Sequence, residues 1–422
     1  MPLTASLVLA MTVGPRADDS IPLAWPSGPM EVRVALAGPI GSDEADDAVG
    51  RPIDFRPPGG TGADPPIGTL RIAGARLEDE GRTLVLLTDP HPAEASYASE
   101  LPGGLGPLRY DLSGVEATWT AEGGAEPGWA GWLPDLDLDR SRDLTRGSAE
   151  HDRAFDLLGT PGTLTLRTLV ALPEGQIPLA VEADRSFEAE VAFLPLDVGP
   201  GHEAEGVVDS FGEPSELFLT IPTGPGPGAE SDRGFPSLRV SFTPAEGEPA
   251  RPITRSDQIL PWAPAPPAGS AAVPPLPDAL EGGDATRGEA VFFAEKGKCS
   301  ACHRVGDRGG EVGPDLTGIG DRQDRAALYH AIEAPSAAIE PAYLPYTVAM
   351  ADGRVFSGVV RADGGDRIRV LDADAKAVEL DRAEVEEIRP VSTSIMPVGL
   401  VGALGEEDLR DLLAYLSGLR GG

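Results

Sequence analysis

Between residues 29 and 104 apolar and polar positions alternate in short runs: "MEVRVALAGPI" (30–40), "TLRIAGARLEDEGRTLVLLTDP" (69–90) and "ASYASELPG" (95–103). A period of two lines one face of a strand, and each run is broken by Gly, Pro or Asp, so the pattern predicts a small antiparallel β-sandwich over 20–104. The alternation continues in "LRYDLSGVEATWTA", "GTLTLRTLVALPEG", "IPLAVEA", "FEAEVAF", "ELFLTIP" and "LRVSFT". These predict a second sandwich over 105–248, with no helix in the first 260 residues. The pattern then changes. After a Pro/Ala-rich stretch, expected to be an extended linker over 249–283, apolar positions recur at helical spacing. "ATRGEAVFFAEKG" (285–297) aligns Gly288, Val291 and Phe292 behind a capping Asp284. "GEEDLRDLLAYLSGLR" (405–420) aligns Leu409, Leu412, Leu413, Leu416 and Leu419, with Glu406, Glu407 and Asp408 in its first turn.

Composition fits this division. The chain has 422 residues, too many for one core, and its 53 Gly and 43 Pro suit strands and loops better than helices. A formal charge of −34, from 68 acidic and 34 basic residues, leaves no basic stripe to hold nucleic acid or anionic lipid. Of the three lysines, Lys296 and Lys298 flank one motif, either as a docking patch for an acidic partner or as solvated helix-end charges. No run past the first residues reaches eighteen apolar positions, so no transmembrane helix is expected. The opening "MPLTASLVLAMTVGPRADD" has an apolar run from Leu3 to Val13 and small residues near Ala17, but no basic start. Residues 1–19 therefore read as an atypical signal segment.

The two cysteines of the chain are Cys299 and Cys302, with His303 directly after the second. A structural zinc would need a second ligand pair, and His91, His151, His202 and His330 are scattered. A dithiol redox centre would need a βαβ setting that this segment lacks. The Cys-x-x-Cys-His spacing instead points to covalent haem, both thiols bonding one porphyrin and His303 meeting the iron as proximal ligand. Haem is attached to thiols outside the cytoplasmic membrane, which implies an exported, periplasmic location. In the β regions, "EPGWAGWLPDLDLDRSRD" (126–143) brings Trp129 and Trp132 near several aspartates. It reads as an inter-domain loop anchored by two tryptophans, or as a site for glycan stacking or calcium. No nucleophile–base pair with a known motif occurs there, so catalysis is not expected.

Two resemblances add to this. The strand phrases of 20–104 resemble bacterial immunoglobulin-like modules. The run 284–422 resembles class I cytochrome c, and more closely the haem-binding domain found in exported planctomycete and verrucomicrobial proteins. It shares with that domain the order of haem motif, "VGPDLTGIGDR" (312–322), a helix, "DGRVFSGVV" (352–360), "SIMPVGL" (394–400) and a final "LLAYL" helix. The resemblance implies that Met396 is the distal ligand, that the Pro314 carbonyl accepts from His303 Nδ1 and that Arg322 reaches a propionate. Met396 is also favoured by position, in a Pro-braked loop before a helix, whereas Met350 falls in a strand. His330 is the rival, expected on the solvent face of its helix. The segment 346–389 exceeds what a class I cytochrome needs. Its four or five short strands predict a small SH3- or Sm-like barrel, expected to be self-contained and to serve as a docking surface or a haem-shielding lid.

The expectation is a multidomain, mainly β protein ending in an all-α cytochrome c fold with a β insert. It would be an exported monohaem c-type cytochrome carrying single electrons, more a carrier than an enzyme. The resemblance suggests a separate exported dehydrogenase as the redox partner that donates electrons. The alternatives are a surface carbohydrate-binding or adhesion protein with an accessory haem domain, and a peroxidase-like enzyme with five-coordinate haem.

Overall fold

The computed structural model describes residues 22–58, 60, 64–103, 105–225, 234–245, 247–264, 274–364 and 366–421. The expected signal segment and the middle of the expected linker lie outside them. The first unit is one seven-stranded antiparallel sheet. Its strands lie in the order Ala24–Gly28, Glu31–Ala35, Thr83–Thr88, Gly68–Glu78, Pro52–Arg56, Ser96–Glu100 and Pro107–Asp111. The sheet curls until its first and last strands meet. Alternation places Val32, Val34, Leu84 and Leu86 on the concave face with Trp25, Phe55 and Tyr97.

The strand Thr83–Thr88 is buried at every position, which a strand with one wet face would not be. Its second face is covered by the C-terminal insert. That insert is a five-stranded antiparallel sheet in the order Ala377–Asp381, Arg367–Leu371, Val355–Ala362, Pro345–Met350 and Val385–Pro390. Met30, Ala73 and Leu87 of the first unit share one core with Tyr346, Val348, Met350, Val360 and Val370 of the insert. Ala73 reaches this core because the register of its strand shifts between Ile72 and Gly74, a bulge that turns one residue outward. The insert is therefore not self-contained: its apolar face is half of an interface with strands some 270 residues earlier. Tyr346 Oη donates to the His91 carbonyl at 2.8 Å, and Asp89 Oδ1 accepts from Ala362 N at 2.8 Å.

The second unit is a sandwich. Strand Gly162–Val170 pairs with Val115–Ala121 and Ser215–Thr223 in one sheet, and Gly175–Ala183 pairs with Glu203–Ser210 and Leu238–Phe242 in the other. Leu164, Leu166 and Leu219 meet Leu179, Val181 and Val240 between them. Three findings differ from the sequence expectation. Helices Leu138–Leu144 and Ala149–Leu158 lie in this region, the second contributing Ala154, Phe155 and Leu158 to the core. Strand Pro107–Asp111, expected in this unit, instead ends the first sheet. The chain from 251 to 263 is folded rather than free linker: Gln258–Ile259 pairs with Val170 and Leu169, and Leu260 and Trp262 enter the first core.

The C-terminal helices pack around Phe292, Leu328, Leu409, Leu412, Leu413 and Leu416. The predicted leucine stripe supplies four of these, each contributing about 2 kcal/mol of apolar burial. Asp284 caps the first helix, Ala285–Phe292, by accepting from Thr286 N and Arg287 N. No helix among the described residues is long and apolar enough to cross a membrane.

Candidate haem-binding site

Cys299 and Cys302 are the ends of a single helical turn, Cys299–Cys302, and His303 is its extended C-cap residue. Both thiols are free and half-buried. Burial pushes the Cys299 thiol up to about 11 and raises Cys302 as well. A reactive dithiol needs the opposite, a thiolate stabilised near neutral pH. Among the described residues no three His, Cys, Asp or Glu side chains gather as a metal cluster, so the zinc reading has no ligand set.

The loop after His303 returns onto it. Gly310 N donates to the Ser300 carbonyl and Gly313 N to the Cys302 carbonyl, each at 2.9 Å, and Leu316 N donates to Arg304 O at 2.8 Å. His303 Nδ1 lies 2.9 Å from the Pro314 carbonyl. A carbonyl can only accept, so Nδ1 carries the proton and Nε2 keeps its lone pair free for a metal. Burial lowers the pKa of His303, which keeps the ring neutral and able to ligate. Gly313 packs flat against the imidazole: a Cβ there would sit 2.5 Å from Cε1 of His303. Any larger residue would push the ring off this carbonyl.

These features fit a covalently attached haem. Two unpaired thiols sit one turn apart, a neutral imidazole of fixed tautomer follows, and Val305, Leu316, Met396, Leu400 and Val401 present half-buried apolar side chains at the margin of the helical core. Met396 lies in the loop before helix Leu400–Leu404, its N–H bonded to Ser394 Oγ at 3.2 Å, while Ser394 N is bonded to Ser336 Oγ at 3.0 Å. Met350 is fully buried in the core of the insert and is removed as a candidate ligand. Arg322 is exposed and donates to the Asp315 carbonyl at 3.0 Å, next to Pro314. His330, expected on a solvent face, is half-buried, with Nδ1 3.9 Å from Glu333 Oε2. Its side chain is 29% exposed, and its buried Nδ1 has no hydrogen-bond partner among the described residues.

Two further placements differ from expectation. Trp129 and Trp132 lie on strand Trp129–Leu133 and are buried, so they offer no face for a sugar. Trp132 stacks on Trp25 at 6.3 Å and donates to the Ser113 carbonyl at 2.9 Å. Nearby Asp135 is buried against Arg140 and Gln258, and Asp137 caps a helix. Lys296 remains half exposed, with its Nζ donating to the Leu404 carbonyl at 2.7 Å and to Asp408 at 2.6 Å. Sequence reasoning singled out Pro314 but not Gly313. The signal was there in a glycine directly before the proline, ten residues after the histidine it supports.

The cytochrome c family model matches residues 285–379, from the first helix of this domain into the insert. The C-terminal part of the chain is thus a cytochrome c-like domain, preceded by β-rich domains. No curated protein matches the chain. Among solved structures, an anti-sigma factor domain-containing protein aligns at 9% identity over 57% of this chain and 91% of its own, with a TM-score of 0.25. A similar protein from Clostridium clariflavum aligns at 10% identity over 57% and 92%, with a TM-score of 0.26. A PA14 sugar-binding domain from an RTX adhesin aligns at 14% identity over 35% and 99%, with a TM-score of 0.24. At such scores these likenesses carry no argument.

Proposed function

We propose that this chain, which ends in a cytochrome c-like domain, is an exported monohaem electron carrier. Cys299 and Cys302 would hold the haem by thioethers, and His303 and Met396 would ligate its iron. When bound, the haem would supply a reversible one-electron change between ferric and ferrous iron, and two protein ligands would favour electron transfer over substrate binding at the iron. The observation that carries the reading is the His303–Pro314 bond, which fixes a neutral imidazole with its lone pair free directly beside two unpaired thiols.

The remaining residues act on orientation and environment. Gly313 and Pro314 lock the plane of the His303 ring, and the half-buried apolar side chains of Val305, Leu316, Leu400 and Val401 would limit water at a bound haem. Arg322, held at the Asp315 carbonyl, brings a positive charge that suits a propionate. Cytochrome c domains are typically electron carriers without a substrate reaction of their own. The β units and the bent insert, in its finer reading an SH3- or Sm-like barrel, position the carrier beside a separate exported dehydrogenase that donates electrons. Haem attachment to thiols supports a periplasmic or otherwise exported location.

The test is a potentiometric titration of the protein made together with haem-attachment machinery. The reading expects one reversible one-electron transition and no carbon monoxide binding by the native reduced form. Rapid carbon monoxide binding would favour a five-coordinate enzyme and defeat the carrier reading.

A further inference from the structure

A cleft of about 500 Å³ lies where three parts of the chain meet: the first β sheet, the insert and the loop behind His303. Four arginines line it. Two are neutralised in place, Arg304 by Asp315 at 2.8 Å and Arg369 by Asp363. The other two have no carboxylate partner among the described residues. Arg71 bonds only the Ala362 carbonyl, and Arg361 bonds the Val360 carbonyl at 3.1 Å with its guanidinium 5.2 Å from the Tyr343 ring centre. The carboxylate nearest in role, Asp89, spends one oxygen on Ala362 N.

Of the four carboxylates that line the cleft, Glu311 and Asp315 pair with Arg304 and Asp363 pairs with Arg369, so Arg71 and Arg361 keep donors free for a ligand. A guanidinium presents planar paired donors that match the oxygens of a carboxylate or phosphate, and the cleft volume falls in the range of small-molecule sites. The site is preorganised, because Arg71 donates to the Ala362 carbonyl and Asp89 accepts from the Ala362 N–H, which ties the first sheet to the insert. We propose that this cleft binds a small oxyanion, a carboxylate or a phosphate, between Arg71 and Arg361. The ligand would sit behind Gly313 and Asp315, which flank the carbonyl that orients His303.

The test is calorimetric titration of the full-length haem-loaded protein with inorganic phosphate and, separately, with citrate, at constant ionic strength. Saturable binding of phosphate alone identifies a phosphorylated ligand class, and binding of citrate alone identifies a carboxylic acid. Arg71→Ala and Arg361→Ala should each weaken binding by about tenfold or more, since each removes a charge-assisted contact. Arg361→Lys should recover only part of the loss. Arg239→Ala, on the second sandwich, should change nothing. Unfolding curves read by tryptophan fluorescence identify any variant that fails to fold. The inference is overturned if neither anion binds, or if the folded Arg71→Ala/Arg361→Ala double variant binds as the parent does. The readout is heat rather than electron transfer, so failure here is distinct from failure of the carrier reading.

Discussion

Gly288 of the first C-terminal helix meets the main chain of Asp411 in the last helix so closely that a Cβ on Gly288 would lie 1.9 Å from the Asp411 carbonyl oxygen. The same Asp411 ties the crossing with its carboxylate, which accepts from Asp284 N at 2.7 Å and Arg287 Nε at 2.6 Å. The two helices that frame the haem motif are thus fixed by contact of backbone on backbone.

Gly288→Ala should part these helices and destabilise the cytochrome domain by about 1–3 kcal/mol, the usual cost of overpacking. Gly402→Ala is the control. It is also helical, but an added Cβ meets nothing within 4 Å, so it should be neutral or stabilising by about 0.5–1 kcal/mol. Thermal unfolding of both variants decides. Equal midpoints for the two would contradict the close crossing.

Tyr346→Phe should destabilise the first β unit, because it leaves the buried His91 carbonyl without its 2.8 Å donor, at a cost of about 1–3 kcal/mol. Replacing residues 346–389 by a short linker should cost more, since Met30, Ala73 and Leu87 lose their cover. Denaturant unfolding followed by tryptophan fluorescence measures both. An unchanged midpoint in the deletion would restore the view that the insert stands alone.

Two buried histidines predict a loss of stability on mild acidification. Burial lowers His91 and His151 to about 4 each. His91 Nδ1 donates to the Pro29 carbonyl and Nε2 accepts from Tyr110 Oη, while His151 Nε2 donates to the Trp132 carbonyl. The unfolded chain takes up these protons near pH 6.5 and the folded one only near pH 4. Above 6.5 neither form is charged. Between 6.5 and 4 stability should fall by about 1.4 kcal/mol per pH unit for each ring. Glu94, Glu116 and Glu150, whose carboxyls burial raises, act in the opposite sense, so the effect is read by difference. His91→Gln and His151→Gln should each flatten the pH dependence of the unfolding midpoint in this window, and slopes equal to the parent's would contradict the assignment.

Met396→Ala should give high-spin ferric iron and carbon monoxide binding after reduction. Met396→His should stay low-spin at a lower potential, because imidazole favours ferric iron more than a thioether does. Optical spectra and potentiometry check both. A Met396→Ala protein with the parent spectrum would direct attention to His330, whose buried Nδ1 has no hydrogen-bond partner among the described residues and lies 3.9 Å from Glu333 Oε2.

What could be read from the chain was what is local. The leucine stripe of 409–416 follows one helical period, and the Cys-x-x-Cys-His motif needs only five consecutive residues. The partner of a second strand face is not local. "TLVLLT" at 83–88 shows only an unbroken apolar run, and nothing in it says that Leu84 and Leu86 face one core and Leu87 another built from residues past 345. The Gly, Pro and Asp residues around Trp129 and Trp132 are those of a loop. Trp132 is buried against Trp25, over a hundred residues earlier, and Trp129 in the core of the second unit. The helices after them were hidden by the same acidic residues that start them, Asp137 acting as the cap of Leu138–Leu144. The cleft arginines come from two distant strands, and no spacing relates Arg71 to Arg361.

The most direct test of the central claim is the mass of the mature protein and of its proteolytic fragment containing residues 299–303, after expression with haem-attachment machinery. The account predicts an added mass of one haem on that fragment, retained under denaturing conditions, and loss of stable attachment in Cys302→Ala. A fragment with two unmodified thiols, or a protein that carries zinc instead of haem, would contradict it.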